Sequence, residues 1–228
     1  MKEKAVAGNA PQMSLKANAK QLRAAAIMAI LSVEYPDAKC ALNFSSPEEL
    51  LVATILSAQC TDNMVNRVTP ALFRQFPVPE GLAGASLPEI QKIIKPCGYY
   101  RQKSKFVRES CRKLLKDFGG RAPRSIEELT TLPGVARKTA NVVLSVAFDI
   151  NQGVAVDTHV ARLSRRLGLA RSSAPPRIEI ELMKAVPQKE WGLLTTLLIA
   201  HGRAVCTARK PDCGNCCLNA ICPSAFRT

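Results

Sequence analysis

The sequence contains few acidic residues, and almost no segment has the alternating pattern of a β-strand. It has 18 Asp and Glu residues against 32 Lys and Arg residues, which gives a formal net charge of +14. A protein this basic commonly binds a polyanion such as nucleic acid, although the charge could serve solubility alone. No apolar run approaches the roughly 20 residues that cross a bilayer. We therefore expect a cytoplasmic protein without membrane contact.

The chain also lacks the composition of a disordered protein and of a secreted disulfide scaffold. Apolar residues make up 47% of its 228 positions, which is enough to bury a sizeable core. Its nine cysteines are an odd number, whereas disulfide frameworks usually have an even one. Residues 1–17 are polar and without periodicity, and we expect them to form a flexible basic tail.

Apolar residues recur at helical spacing almost throughout the chain, which predicts an all-α fold of about ten short helices. The expected buried face of the first helix consists of Leu22, Ala26, Ile30 and Val33. Three motifs in which Ser is followed by Glu three residues later predict helix starts, because both side chains cap free backbone N–H groups. These motifs are Ser46–Glu49, Ser86–Glu89 and Ser125–Glu128.

A tight turn between two predicted helices, at about 125–148, is the first functional motif. The turn at 133–136 reads Pro-Gly-Val-Ala, and Gly134 lets the backbone approach a ligand closely. The N–H groups of the turn and the following helix predict a phosphate site, which would hold DNA without reading its sequence. Lys138 lies in the first turn of that helix. It is either a surface or phosphate-binding lysine or, if desolvated beside the positive helix end, an amine nucleophile.

The second motif is an acidic residue that follows an apolar run. Asp157 comes after Val154-Ala155-Val156 and precedes a predicted helix. Its carboxylate could simply cap that helix, or it could stabilise a positive charge that develops on a sugar. His159 could bind phosphate or cap locally, and Arg162 adds positive charge to the same helix.

The third motif is a cluster of cysteines near the C-terminus. Cys206, Cys213, Cys216 and Cys222 have the spacing C-x6-C-x2-C-x5-C. Four thiolates this close predict either a zinc ion or an iron-sulfur cluster, and the spacing alone does not decide between them. Cys217 is an alternative ligand, although its side chain should point away if Cys216 binds. Between the first two cysteines lie Arg209 and Lys210, which could present cations to a DNA phosphate.

Together these motifs resemble those of the endonuclease III family. The segment 132–141 (LPGVARKTAN) is similar to the helix-hairpin-helix signature of that family, and 156–159 (VDTH) to its catalytic aspartate segment. The cysteine spacing matches the family's 4Fe-4S site. Residues 57–62 (SAQCTD) resemble another family segment, and 201–203 (HGR) precedes the cysteines as in the family. The resemblance extends over about residues 18–226.

The resemblance implies a two-lobed, all-α helix-hairpin-helix DNA glycosylase with a C-terminal iron-sulfur cluster loop. A six-helix barrel domain would cover 40–151, and the cluster domain would combine 18–39 with 152–228. The chain would act as a monomer on double-stranded DNA with damaged pyrimidines or abasic sites, associated with the nucleoid if the host is bacterial. The four cysteines would bind one 4Fe-4S cluster.

The resemblance also implies the chemistry and the residues that perform it. Lys138 would attack the sugar, displace the base and cleave the strand on the 3′ side by β-elimination through a Schiff base. Asp157 would assist Lys138 and stabilise the cationic sugar. Gln59 would fill the gap left by the flipped nucleotide. The residues expected to contact DNA are Gln59, Asp62, Tyr99, Gly134, Ala136, Arg137, Thr139, His159, Arg162, Arg209 and Lys210.

Three positions depart from the family pattern. Ala136 replaces a second hairpin glycine, and its methyl group could move the hairpin away from a phosphate. Tyr99 replaces an aliphatic wedge residue and would intercalate by stacking. Cys60 replaces a small alanine-like residue.

Two other functions compete with this interpretation. The adenine-excising branch of related glycosylases has the same cysteine spacing, but it lacks a lysine at position 138 and usually carries a further C-terminal domain. Alternatively, the chain is a DNA-binding module without enzymatic activity, in which Lys138 contacts phosphate and Asp157 only caps a helix.

Overall fold

The computed structural model describes residues 18–227, and all the regular secondary structure in this range is helical. The predicted tail at 1–17 lies outside the described residues. The first six α-helices are α1 (Ala19–Glu34), α2 (Pro47–Leu56), α3 (Asp62–Gln75), α4 (Glu80–Gly84), α5 (Leu87–Ile94) and α6 (Tyr100–Phe118). The remaining five are α7 (Ile126–Leu129), α8 (Arg137–Phe148), α9 (Thr158–Arg166), α10 (Pro175–Ala185) and α11 (Trp191–Ala204). Two 3₁₀-helices cover Lys95–Cys97 and Gln188–Glu190. The all-α prediction is confirmed.

Capping side chains start the helices at the predicted places. The Ser46 hydroxyl accepts a hydrogen bond from the Glu49 backbone N–H at 3.1 Å, so α2 begins at the next residue, Pro47. Ser86 and Glu89 cap each other reciprocally at the start of α5. These contacts satisfy N–H groups that have no partner within the helix. Contacts between residues close in sequence therefore fix where α2 and α5 begin.

The predicted buried face of α1 is wrong except at Ile30, which packs against the second set of apolar residues. Leu22 and Val33 are 61% and 84% exposed, whereas the buried residues are Ala24, Ile27, Met28 and Leu31. Residues 24–31 are all apolar, so helical periodicity allows more than one face there. Contact of α1 with α10 and α11 selects the face that is buried.

Apolar side chains form two separate cores. The first core lies among α2–α8 and includes Leu51, Leu114 and Leu144. The second core joins α1 to α9–α11 and includes Leu31 and Leu198. The division into domains at 40–151 and at 18–39 plus 152–228 stays a prediction, and the separation of the two cores is in keeping with it. Within residues 18–227, no helix is both long and apolar enough to cross a membrane.

Candidate active-site cleft

A cleft of about 650 Å³ runs between elements of the two cores. This volume is in the range of roughly 300–1,000 Å³ that is usual for ligand sites. α8 lines the cleft from Lys138 to Val146, and α11 lines it from Gly192 to Arg203. Residues 37–43 before α2 and 57–59 after it complete the lining. The predicted site residues that line the cleft are Gln59, Asp62, Ala136, Lys138, Thr139 and Asp157. The fold therefore brings together residues that are up to 98 positions apart in the sequence.

The turn before α8 is held by close packing. Gly134 has φ +78°, and a Cβ atom there would lie 2.8 Å from the ring of Phe106 on α6. The Ser110 hydroxyl, also on α6, donates a hydrogen bond to the Pro133 carbonyl at 2.6 Å. Gly134 is therefore required both by its backbone conformation and by the neighbouring ring.

The N-terminus of α8 presents backbone N–H groups at the edge of the cleft. Ala136 is the N-cap residue, and its side chain cannot accept a hydrogen bond. The first turn of α8, which includes Lys138 and Thr139, therefore keeps donors for an anion, and the helix dipole adds positive potential. Ala136 is exposed beside this turn, and the effect of its methyl group on phosphate binding stays a prediction.

Lys138 is exposed in the cleft. Burial of Lys138 is one of the two causes expected to make its amine reactive, but the free protein leaves this side chain exposed. The expected burial is therefore wrong for the protein without DNA. The positive helix end remains beside the amine.

Asp157 has two structural contacts in addition to its place in the cleft. Its Oδ1 accepts a hydrogen bond from the Val160 N–H at 2.7 Å and caps α9, as the cap interpretation predicts. Its Oδ2 lies 3.1 Å from Nδ1 of His159. A carboxylate has about four acceptor positions, so capacity remains for a ligand. These contacts fix the orientation of the carboxylate without excluding a chemical role.

Polar contacts join the two cores around the cleft. Arg203 on α11 donates to Asp62 on α3 at 2.6 Å. Glu179 on α10 is almost fully buried and accepts from two residues of α8, Arg137 at 2.9 Å and Asn141 at 3.0 Å. The side chains of Asp62 and Arg137 are therefore already paired with other side chains of the chain in the free protein. Sequence reasoning missed Glu179 and Asn141, since nothing near them in the sequence indicates a partner.

Other predicted DNA contacts lie outside the cleft lining. Tyr99 is 70% exposed before α6. Arg162 is directed toward the cysteine segment, where it donates to the carbonyls of Gly202 and Cys206 at 3.0 and 3.1 Å. Arg209 and Lys210 are exposed in that segment. The structure therefore distributes the predicted contacts over several surfaces.

The four predicted cysteine ligands line a single small cavity of about 20 Å³. Cys217 is not among the residues that line it, in keeping with the expectation that its side chain points away. Within residues 18–227, no three Cys, His, Asp or Glu side chains are arranged around one point as a single metal ion requires.

Two donors contact these sulfurs. Nη1 of Arg166 lies 3.3 Å from Sγ of Cys206, and Nε2 of His201 lies 3.4 Å from Sγ of Cys216. Burial lowers the pKa of His201, which favours the neutral ring with a single N–H. The Tyr35 hydroxyl lies 2.9 Å from Nδ1 of His201, and burial raises the pKa of Tyr35 to about 12, so it stays a donor. With Nδ1 as the acceptor, Nε2 carries the proton and donates it toward Cys216.

Comparison with known proteins agrees with this architecture. Residues 52–188 match the model of the HhH-GPD superfamily of base excision DNA repair proteins. The chain is 54% identical to endonuclease III of Synechocystis over 210 residues, which are 92% of this chain and 96% of that protein. It is 46% identical to endonuclease III of Bacillus subtilis over 189 residues, which are 82% and 86% of the two chains.

A solved structure gives the same result in three dimensions. A trapped endonuclease III–DNA covalent intermediate superimposes with a TM-score of 0.85 at 40% identity. The superposition covers 90% of this chain and 96% of that one. The chain belongs to the HhH-GPD superfamily of base excision DNA repair proteins and, within it, to the endonuclease III family.

Proposed function

We propose that this protein is a bifunctional DNA glycosylase and abasic-site lyase that removes oxidised or otherwise damaged pyrimidines. The observation that carries the proposal is that Lys138 and Asp157 line one cleft beside the N-terminus of α8. An amine and a carboxylate at a phosphate-binding helix end are the groups that an imine-forming lyase requires. The similarity to endonuclease III over nearly the full chain supports the same activity.

Lys138 is the proposed nucleophile. Its neutral amine attacks the anomeric carbon of the flipped nucleotide, the bond to the base breaks, and the sugar ring opens to a Schiff base. Loss of a proton from the adjacent sugar carbon then expels the 3′ phosphate. The carboxylate of Asp157 faces the sugar, and its contacts with the Val160 N–H and the His159 ring fix its orientation. It stabilises positive charge on the sugar and assists proton transfer at Lys138.

The hairpin positions the DNA for this reaction. The backbone N–H groups of Gly134 and Ala136 and those of the first turn of α8 bind a phosphate near the lesion, whereas the Val135 N–H already donates to the Leu132 carbonyl. Gln59 is exposed at the rim of the cleft and fills the space left by the flipped base. Tyr99 stacks on the neighbouring bases. The further proposed DNA contacts are Asp62, Arg137, Thr139, His159, Arg162, Arg209 and Lys210.

Four soft thiolate ligands suit either zinc or an iron-sulfur cluster, and the resemblance of their spacing to that of the endonuclease III family favours the cluster. Cys206, Cys213, Cys216 and Cys222 would hold one 4Fe-4S cluster. Arg166 and His201 stabilise the negative charge of its thiolates. A bound cluster would cross-link the four cysteines and so hold the segment 206–222 against the end of α9.

The proposed activity also defines the partner and the location that we expect. Double-stranded DNA with damaged pyrimidines or abasic sites is the proposed partner, bound by a monomer. A protein that repairs chromosomal DNA works in the cytoplasm of a bacterium, associated with the nucleoid.

Borohydride trapping tests the proposed function directly. Duplex DNA with one oxidised pyrimidine is incubated with wild type, with Lys138→Gln and with Lys92→Gln, which changes an exposed lysine outside the cleft lining. Wild type and Lys92→Gln should give a covalent complex, and Lys138→Gln should give none while it still binds the DNA. If wild type is not trapped on this substrate or on an abasic site, the protein is a monofunctional glycosylase or only binds DNA.

A further inference from the structure

Lys103 is a buried lysine that the proposed reaction does not use. It lies near the N-terminus of α6, and only 4% of the residue is exposed. A lysine on a helix usually extends its four-carbon chain until the amine reaches water. Burial lowers the pKa of Lys103, because the charged amine loses its hydration. Among the ion pairs within residues 18–227, none includes Lys103, so no carboxylate offsets this loss.

The amine of Lys103 instead bonds to the loop before α6. Its Nζ donates a hydrogen bond to the Cys97 carbonyl at 2.7 Å. Cys97 is only 2% exposed, so the amine takes the place that water has at a surface carbonyl. The backbone N–H of Lys103 also donates to the Tyr99 carbonyl at 3.0 Å. Lys103 thus binds the carbonyls on both sides of Gly98.

The backbone of this loop needs such support. Gly98 has φ 65° and ψ 159°, a region that is nearly confined to glycine, and Tyr99 has the left-handed values φ 45° and ψ 25°. Left-handed backbone is unfavourable for a residue with a Cβ atom and persists only where the surroundings hold it. The Tyr99 side chain is 70% exposed and makes no capping hydrogen bond to α6. The hydrogen bonds from Lys103 supply the restraint that the exposed ring does not.

The start of α6 is itself fixed to a neighbouring helix. Nε2 of Gln91 on α5 donates to the Ser104 hydroxyl at 3.1 Å, and that hydroxyl donates to the Arg101 carbonyl at 2.9 Å. Ser104 is fully buried and follows Lys103 directly. The backbone that carries Lys103 is therefore a firm base from which its side chain can hold the loop.

We propose that Lys103 is a positioning residue whose buried amine holds the loop 97–99 in the conformation that presents the Tyr99 ring to DNA. The consequence for DNA rests on the proposed function, in which Tyr99 stacks on bases, whereas the restraint on the loop does not. A loop that is already ordered in the free protein loses little conformational entropy when DNA binds. Without the amine, binding would have to order the loop, and affinity would fall.

Limited digestion with chymotrypsin tests whether Lys103 holds the loop. This protease cleaves after aromatic residues, and Tyr99 and Tyr100 lie at the end of the loop. The holoprotein is compared with Lys103→Met, which has a side chain of similar length but no donor. The matched control is Lys116→Met, which removes an exposed lysine at the other end of α6. Cleavage at Tyr99 or Tyr100 should be about tenfold faster in Lys103→Met alone, because proteolysis follows the population of the opened loop.

Equal cleavage rates in Lys103→Met and wild type would overturn the proposal. The Met variant is expected to fold, since Lys103 has no carboxylate partner that would be left buried and unpaired. Circular dichroism checks this. Lys103→Gln, which is neutral and shorter, provides a second variant if methionine disturbs the packing.

A double-mutant cycle tests whether the effect reaches DNA through Tyr99. Lys103→Met should bind a duplex with an uncleavable abasic analogue about tenfold more weakly than wild type and Lys116→Met. In a Tyr99→Ala protein the same substitution should have no further effect, because no ring remains to be presented. An equal loss in both backgrounds would overturn the proposal, as would wild-type affinity of Tyr99→Ala. Failure of the wild type to give a borohydride-trapped complex would instead count against the proposed function and would leave the digestion result unaffected.

Discussion

The substitution Gly134→Ala tests whether the hairpin before α8 depends on its glycine. Alanine at φ +78° costs roughly 1–2 kcal/mol, because its Cβ approaches the carbonyl oxygen in left-handed backbone. The new methyl group would also lie 2.8 Å from the ring of Phe106, and overpacking of this type costs about 1–3 kcal/mol. The turn cannot move freely away from the ring, since Ser110 on the same helix holds the Pro133 carbonyl at 2.6 Å. We expect a loss of about 2–5 kcal/mol in total.

Urea denaturation and DNA affinity measure this effect together. If the hairpin keeps its position, the free energy of unfolding falls by the full amount. If it shifts instead, the stability loss is smaller and affinity for an abasic duplex falls, because the N–H groups no longer meet the phosphate. The double variant Gly134→Ala/Phe106→Ala removes the clash and should recover part of the loss relative to the sum of the single variants. A Gly134→Ala protein with wild-type stability and wild-type affinity would refute the reasoning.

Three further substitutions separate structural from chemical roles. Asp157→Asn should fold as stably as wild type, because Asn caps helices as well as Asp does, yet lose borohydride trapping; a markedly lower melting temperature would contradict this. Glu179→Ala should lower the free energy of unfolding by about 1–3 kcal/mol, because the buried Asn141 amide loses its acceptor; urea denaturation measures this. Cys213→Ser should abolish the visible absorbance of the purified protein, and Cys217→Ser should retain it.

Local chemistry made several features of the fold predictable. The caps at Ser46, Ser86 and Ser125 depend on contacts within four residues, so the sequence contains everything that forms them. The second of the two helices predicted within 125–148 is α8, whose apolar residues recur at helical spacing. Asp157 caps α9 as expected. The family was also predictable, because each of its motifs is a short segment that can be recognised in the sequence without knowledge of tertiary contacts.

Features that depend on tertiary contact were not predictable. The exposed Leu22 and the buried Ile27 both fit helical periodicity in α1, and only packing against α10 and α11 distinguishes them. Helical spacing from Leu50 would also allow α2 to continue to Ala58, yet the helix ends at Leu56 and Ala58 is exposed in the following turn. The hydrogen-bonded ion pair between Asp62 and Arg203 joins residues that are 141 positions apart in the sequence. No local pattern specifies such a pair.

The amine of the proposed nucleophile Lys138 is exposed to water in the free protein, so its activation would depend on bound DNA. Lysine attacks carbon only as a neutral amine, and water around an exposed side chain favours the ammonium ion. DNA that covers the cleft would expel this water and bring the sugar to Lys138 in one step. Meanwhile, contacts through Arg203 and Glu179 already fix the two cores around the cleft. Binding energy is then available to bend the DNA and flip the nucleotide rather than to close the protein. If Lys138 is the nucleophile, as proposed, its activation would be coupled to a correctly inserted nucleotide, and undamaged DNA would be protected from attack.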